Sequence, residues 1–213
     1  MIFHQIEAGG DRNFAYLMAD KERGAAALFD PPPHASLYLG LVQEQGLEVA
    51  YIVATHGHGD HVWGIAEAKK RTGGRIVACE RSSVNADIRV RDGGTLPLGS
   101  MTLTFIHTPG HTDDSMCVLG ENKLVTGDTL FVGKVGGTGF GEDARQEYES
   151  LHRKLMTLDN DIEVWPGHDY GVKPSSTIGH ERSTNPFLLR DSFESFLELK
   201  KNWLAYKKEH GIL

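Results

Sequence analysis

A run of apolar residues that ends in a cluster of histidines constrains this chain more than any other feature. Residues 49–54 read VAYIVA, and residues 55–61 read THGHGDH directly after them. A continuous apolar run of this length, bounded by glycine, is typical of a buried β-strand. The sequence therefore predicts a strand whose carboxyl end brings three imidazoles and a carboxylate to one place.

Three more residues of the same chemical type follow later in the chain. His111, Asp128 and His168 each come after another strand-like run, and a glycine directly precedes each of them. Glycine lets the backbone turn sharply at these positions. We therefore expect several strands to deliver these side chains to one rim of the fold.

Imidazole and carboxylate are the ligands that borderline and hard divalent metals prefer. The candidate set contains His56, His58, Asp60, His61, His111, Asp128 and His168. These seven exceed the roughly four donors that one tetrahedral metal needs, so they suit two metals with a bridging carboxylate. A metal pair indicates hydrolysis, because two ions about 3.5–4 Å apart can hold a water molecule and lower its pKa. The remaining histidines are predicted to be surface or structural residues: His4, His34, His107, His152, His180 and His210.

Composition narrows the classes of partner. The chain has 213 residues and a formal charge of −7, so we expect one domain and neither nucleic acid nor membrane as a partner. Its first ten residues have no basic start and no long apolar run, so they are not expected to be a signal peptide, and two cysteines without an expected disulfide predict a reducing cytoplasm as the default location. Cys79 and Cys117 lie in apolar runs and are predicted to be buried free thiols.

The order of strand-like and helical patterns predicts two sheets between layers of helices. One helix is expected over Ala35–Gln45 with Leu37 on its apolar face, and another from Asp60 or His61 through Arg71. An apolar stripe predicts a third helix that faces the core: Ala144, Tyr148, Leu151, Leu155 and Leu158. A tail helix is expected over Asp191–Lys208, with lysines 200, 201, 207 and 208 toward its end, where they suit the helix dipole.

Four segments in combination resemble the metallo-β-lactamase superfamily over residues 12 to about 190: THxHxDH at 55–61, TPGH at 108–111, GDT at 127–129 and GH at 167–168. The resemblance implies an α/β (α+β) fold, the four-layer αββα sandwich, with the site at one edge of the sheets. We expect a single domain over residues 1–213, with residues 187–213 as a C-terminal helical extension.

The resemblance also implies a role for each ligand residue. His56, His58 and His111 would hold the first metal, Asp60, His61 and His168 the second, and Asp128 would bridge the two. Asp60 and Asp128 are the expected catalytic residues, since Asp60 would orient the attacking water and Asp128 would fix the metal spacing.

Within the superfamily, GDTLF at 127–131, PGHDY at 166–170 and ERSTNP at 181–186 are similar to glyoxalase II and to persulfide dioxygenase. Glyoxalase II implies hydrolysis of hydroxyacylglutathione or a related small acyl-thiol with two divalent metals, zinc or alternatively iron or manganese. The alternative is a dioxygenase for glutathione persulfide, with one iron on His56, His111 and Asp128. A drug-cleaving β-lactamase and an RNA-processing or purely binding module are less favoured.

The substrate side of the site departs from both relatives. The dioxygenase loop GRTDF corresponds to GGTGF at residues 136–140, so its arginine is missing. Lys134, Arg145 and Arg182 are the candidates to replace that charge. Phe140 and Tyr170 are predicted substrate contacts, and Phe131 suits either the pocket or the core. About 45 residues follow His168, too few for the helical domain of glyoxalase II, so the tail helix either covers the cleft or packs on a second subunit of a homo-oligomer.

Overall fold

The computed structural model of the protein describes residues 1–211, and two six-stranded β-sheets form its centre. The strands are β1 (Ile2–Gly9), β2 (Asn13–Ala19), β3 (Ala25–Phe29), β4 (Glu48–Val53), β5 (Arg75–Cys79), β6 (Ile88–Val90), β7 (Thr95–Leu98), β8 (Met101–His107), β9 (Met116–Gly120), β10 (Lys123–Gly127), β11 (Leu130–Phe131), β12 (Lys134–Val135), β13 (Glu163–Pro166) and β14 (Ser176–Thr177). The first sheet has the order β1-β2-β3-β4-β5-β6, and the second has the order β14-β13-β10-β9-β8-β7. Strands β11 and β12 pair separately as a short hairpin.

Helices cover the outer faces of both sheets. They are α1 (Ser36–Glu44), α2 (Gly59–Val62), α3 (Ile65–Thr72), α4 (Glu142–Arg153), α5 (Ile178–Thr184), α6 (Phe193–Lys201) and α7 (Trp203–His210). Three apolar clusters separate the layers. The first lies between the sheets, the second joins the first sheet to α1 and α3, and the third joins the second sheet to α4, α5 and α6. This is the αββα sandwich that the sequence predicted.

Strand β2 shows how the sequence produces these layers. All seven of its residues are buried. Because side chains alternate along a strand, Phe14, Tyr16 and Met18 enter the cluster between the sheets, whereas Ala15 and Leu17 enter the outer cluster under the helices.

Two predicted helices differ in detail. In α1, Tyr38 is fully buried while Leu37 is 43% exposed. The prediction that Leu37 lies on the buried face of this helix was therefore wrong. Tyr38, Leu41 and Val42 have the spacing i, i+3, i+4 and pack together on the second cluster, which leaves Leu37 on the flank. The helix expected from Asp60 or His61 to Arg71 is divided into α2 and α3. The division lies at Gly64, where an added Cβ would be 2.0 Å from the carbonyl oxygen of Pro31, so the backbones touch.

The later helices also break where tertiary packing requires it. Helix α4 buries Ala144 and Leu151 of the predicted stripe and half-buries Tyr148, but it ends at Arg153. Leu155 is buried in a 3₁₀ turn over Leu155–Thr157, and Leu158 follows that turn half-buried. The tail is two helices, α6 and α7, that meet at Asn202. The last two residues of the predicted extension, 212 and 213, lie outside the described residues. Cys79 and Cys117 are buried free thiols, as predicted. Within residues 1–211, no helix has the length and apolar character that crossing a membrane would require.

Strand direction explains why the candidate ligands meet. Strand β9 pairs antiparallel with both β8 and β10, and β10 pairs parallel with β13, so β8, β10 and β13 all end at the same edge. Backbone hydrogen bonds join the first sheet to this edge. Met116 donates to the Thr55 carbonyl (2.9 Å), and Phe14 donates to the Gly167 carbonyl (2.8 Å).

Candidate metal centre

The structure brings all seven predicted ligand residues together at this edge. They form three overlapping groups, His56 with His58 and His111, Asp60 with His61 and His168, and Asp128 with His56 and His61. Within each group the candidate donor atoms lie within 4.8 Å of one another. We call the first two the first cluster and the second cluster.

The second cluster has the dimensions of a tetrahedral metal site. A tetrahedral metal with bonds of about 2.1 Å needs donors about 3.4 Å apart. The Nε2 atoms of His61 and His168 are 3.2 Å apart, and Asp60 Oδ2 is 3.7 and 3.6 Å from them. Asp128 supplies the fourth corner, with Oδ1 3.3 Å from His61 Nε2 and Oδ2 3.3 Å from His168 Nε2.

The first cluster shares the same carboxylate. His58 Nδ1 is 3.0 Å from His111 Nε2, and that nitrogen is 3.5 Å from Asp128 Oδ2. The third member, His56, is almost completely buried, and its Nε2 has no hydrogen-bond partner among the described residues. A buried polar atom without a partner is costly, and a divalent cation would satisfy it.

Four imidazoles are held through their other ring nitrogen. The Nδ1 atoms donate as follows: His56 to Thr55 Oγ1 (3.1 Å), His61 to Asp30 Oδ2 (2.8 Å), His111 to the Gly137 carbonyl (2.8 Å) and His168 to the Asp11 carbonyl (2.9 Å). Each Nε2 is then left with a lone pair that points into the site. The Nε2 atoms of His61 and His168, 3.2 Å apart, need a proton or a metal cation between them, because two facing lone pairs would repel. The residues present therefore fit divalent metals.

Protonation in the absence of metal agrees with this picture. Burial lowers the pKa of His56 well below its ordinary value, and the neighbouring His61 adds to the effect. Burial also acts to lower the pKa of His61, but the nearby Asp30 carboxylate outweighs it and raises that pKa to about 10. For Asp128, burial opposes ionisation, yet hydrogen bonds from His168 and His61 hold the pKa well below its usual range. A metal entering the second cluster must therefore displace a proton from His61.

Sequence reasoning missed Asp30, the residue that orients His61. Its Oδ1 accepts from the backbone nitrogen of Thr55 (2.8 Å), and its Oδ2 accepts from the Thr55 hydroxyl (2.6 Å) as well as from His61. A carboxylate at the end of an apolar strand, directly before three prolines, was the available signal.

Sequence reasoning also missed Asn13, the first residue of β2 at the end of the β1–β2 turn. Its Nδ2 donates to Asp60 Oδ2 (2.9 Å), and its backbone forms a bridge with His168. Asn13 is only 4% exposed, and its Oδ1 accepts from the backbone nitrogen of Asp11 (3.0 Å). One turn thus holds two members of the second cluster.

Replacing Asn13 with alanine is expected to weaken metal binding at the second cluster by roughly 10–100-fold, because Asp60 loses the donor that fixes its carboxylate. Binding at the first cluster should change little. Titration of the metal-free protein against a chelator measures the two affinities separately. Asn122→Ala, an exposed asparagine on the β9–β10 turn, is the control. Equal affinities in the wild type and N13A would show that Asn13 does not position Asp60.

A cleft of about 1090 Å³ opens beside the two clusters, and His111 and Asp128 form part of its wall. The three predicted substrate contacts, Lys134, Phe140 and Tyr170, line it. Phe131, which suited either pocket or core, lines the cleft while only 2% exposed. Trp203 and Lys207 of α7 line it too, so the tail covers one side of the cleft.

The other two candidates for the missing arginine do not line the cleft. Arg145 lies over the Phe193 ring, 4.0 Å from its centroid. Arg182 donates to the carbonyls of Met156 and Leu158. Both guanidinium groups serve local packing.

Positive charge gathers around Tyr170 instead. Lys134 Nζ and Arg12 Cζ lie 4.4 and 4.8 Å from the centroid of its ring. Burial lowers the pKa of Lys134, and the nearby charges of Lys207 and Arg12 lower it further. Among residues 1–211, no carboxylate forms an ion pair with Arg12, Lys134 or Lys207, so these three cations are available to a ligand in the cleft.

The fold and this site define a class. The metallo-beta-lactamase superfamily model matches residues 8–86 and 80–168, and the chain belongs to that superfamily. The chain is 34% identical over 194 residues to the human (Homo sapiens) mitochondrial persulfide dioxygenase ETHE1, covering 89% of this chain and 76% of that protein. It is 32% identical over 227 residues to the hydroxyacylglutathione hydrolase of Anaeromyxobacter dehalogenans, covering 90% and 87%. The crystal structure of ETHE1 from Myxococcus xanthus superposes with a TM-score of 0.89 at 33% identity, covering 95% of this chain and 91% of that one.

Proposed function

We propose that the chain is a thioester hydrolase that uses two divalent metal ions, with His56, His58 and His111 holding one, Asp60, His61 and His168 the other, and Asp128 bridging them. The observation that carries this proposal is the second cluster, whose donors have tetrahedral spacing and whose members are each held by a hydrogen bond. A complete second set of donors supports the binding of a second metal ion. Bound there, two ions would supply Lewis acidity and would lower the pKa of a water molecule in the site.

The protein side chains then align the reaction. A thioester carbonyl enters from the cleft, where His111 and Asp128 form the wall. Hydrolysis would consume one water molecule: its oxygen would bond to the carbonyl carbon, the carbon–sulfur bond would break, one water proton would go to the departing sulfur, and a carboxylic acid and a thiol would leave. Asp60, fixed by Asn13, orients the water, and Asp128 sets the distance between the two clusters. Zinc is the proposed ion, since it favours tetrahedral nitrogen and oxygen ligands, and iron or manganese are alternatives.

The cleft supports an anionic thiol as the leaving group. Arg12, Lys134 and Lys207 line it without ion-pair partners in the described part of the chain. The carboxylates of a glutathione thioester would pair with these cations, while Tyr170 and Phe140 would contact its backbone. The hydrolase relatives act on hydroxyacylglutathione by name, which supports that compound or a related small acyl-thiol as the substrate.

Replacing Lys134 with methionine is expected to raise KM for an acyl-glutathione about tenfold, with kcat nearly unchanged, because one ion pair to a half-buried charge is lost. Steady-state kinetics measure the two parameters. Lys173→Met, an exposed lysine outside the cleft, is the control. A fall in kcat with constant KM would move Lys134 from substrate binding to the chemical step.

The proposal is tested by metal analysis combined with hydrolysis of lactoylglutathione. We expect two metals per chain after reconstitution and hydrolysis that disappears when a chelator removes them. No more than one metal per chain, together with no hydrolysis, would overturn the proposal.

A second candidate is a one-iron persulfide dioxygenase. The similarity to ETHE1 over nearly the whole chain favours it. Its expected iron ligands, His56, His111 and Asp128, are all present in the site. Oxygen consumption by the iron-loaded protein with glutathione persulfide distinguishes this activity from hydrolysis.

A further inference from the structure

A buried ion pair joins the C-terminal tail to the layer of helices behind the metal centre. Lys200 on α6 donates to Glu147 on α4, and their side chains are only 7% and 1% exposed. The sequence predicted Lys200 at the basic end of a helix; it lies in the last turn of α6, and its side chain is buried there. Desolvating two charges costs free energy that their attraction often fails to recover. The pair therefore calls for a reason beyond stability.

Lys200 makes a second contact, with the loop beside the metal centre. Its Nζ donates to the Gly136 carbonyl (2.8 Å). Gly136 is packed against two predicted ligands, because a Cβ there would lie 2.2 Å from the Asp128 carbonyl oxygen and 3.1 Å from His111 Cβ. The next residue, Gly137, accepts the hydrogen bond from His111 Nδ1 (2.8 Å).

These contacts form one continuous connection from the tail to a ligand. Residues 133–141 contain five glycines, so the loop has little stiffness of its own. A carbonyl that orients an imidazole must itself be held in place. Glu147 holds the Lys200 ammonium, the ammonium holds Gly136, and the adjoining peptide places the Gly137 carbonyl against His111.

We propose that Lys200 is a positioning residue for the metal centre: with Glu147 it fixes the loop at Gly136 and Gly137 and thereby sets the ring orientation of His111. The tail thus does more than cover the cleft. This role does not depend on which reaction the metals serve.

The competing explanation is that the pair only attaches α6 to α4. The double substitution Lys200→Met with Glu147→Met separates the two explanations. Two apolar side chains of similar length leave no buried charge, so α6 should stay attached, but no donor reaches Gly136. The single variant Lys200→Met leaves the Glu147 carboxylate buried and unpaired, and it should unfold at a lower temperature.

The test uses cobalt(II)-loaded protein, without substrate. In the double variant we expect a Tm close to that of the wild type, shifted visible absorption bands of cobalt at the first cluster, and cobalt release to a chelator about tenfold more readily. Lys201→Met, a neighbouring exposed lysine, should match the wild type in all three.

A double variant with a wild-type Tm, wild-type cobalt bands and wild-type cobalt affinity would overturn the proposal. Should the double variant fail to fold, Lys200→Gln replaces it. The glutamine side chain is one atom shorter than that of lysine, so we expect its amide to fall short of the Gly136 carbonyl. Altered cobalt bands in the folded K200Q protein support the positioning role, and unchanged bands refute it.

Discussion

Replacing Asp128 with alanine is expected to abolish hydrolysis and to remove both metals at once. Its Oδ2 lies 3.5 Å from His111 Nε2 and 3.3 Å from His168 Nε2, so a single side chain serves both clusters. Its loss leaves the five imidazoles and Asp60 without the carboxylate that would serve both metals. We expect kcat/KM to fall by at least about 10³-fold, which corresponds to roughly 4 kcal/mol of transition-state stabilisation.

Two measurements on the same sample check this prediction. Metal content after dialysis should drop from about two ions per chain to less than one, and turnover of lactoylglutathione should fall to background. Asp161→Ala, an exposed aspartate before β13, is the matched control and should keep both properties. A D128A protein with full turnover would show that the bridging role is wrong. If D128A loses turnover but still binds both metals tightly, Asp128 acts in the reaction and not in metal binding.

The meeting of the seven candidate ligand residues was predictable because each residue has a strong local signal. Each of His111, Asp128 and His168 follows a strand and a glycine, and the histidines at 56 and 58 have the spacing of an extended chain. In the structure their rings are 4.7 Å apart between centroids. Residues at the ends of strands meet wherever the strands share a direction, so sequence order alone leads to the site.

The residues that orient these ligands were not predictable in the same way. Asp30 meets His61 across 31 residues, and the Asp11 carbonyl meets His168 across 157. No local pattern links such partners, because their contact exists only after both sheets have packed. Gly64 is similar, since the break between α2 and α3 follows from its contact with Pro31 in another loop. Lys200 shows the same limit, because a lysine near a helix end is usually solvated and here it is buried.

Replacing Asp60 with alanine is expected to separate the two candidate functions. Asp60 belongs to the second cluster, with Oδ2 3.7 Å from His61 Nε2 and 3.6 Å from His168 Nε2. Without Asp60 the second cluster keeps only the two imidazoles and the bridging Asp128 as donors. The second ion should therefore be lost, and thioester hydrolysis should fall at least about 100-fold.

The one-iron alternative predicts a different result for the same variant. Its ligands, His56, His111 and Asp128, do not include Asp60, so an iron-loaded D60A protein should keep oxygen consumption with glutathione persulfide within a few-fold of wild type. Asp113→Ala, an exposed aspartate near the site, controls for a general loss of negative charge. Measuring metal content, hydrolysis and oxygen consumption on one preparation therefore decides between the two candidate functions. If D60A loses one metal and also loses hydrolysis, the second cluster is catalytic. If D60A keeps its oxygen consumption, the second cluster only surrounds the metal at the first cluster.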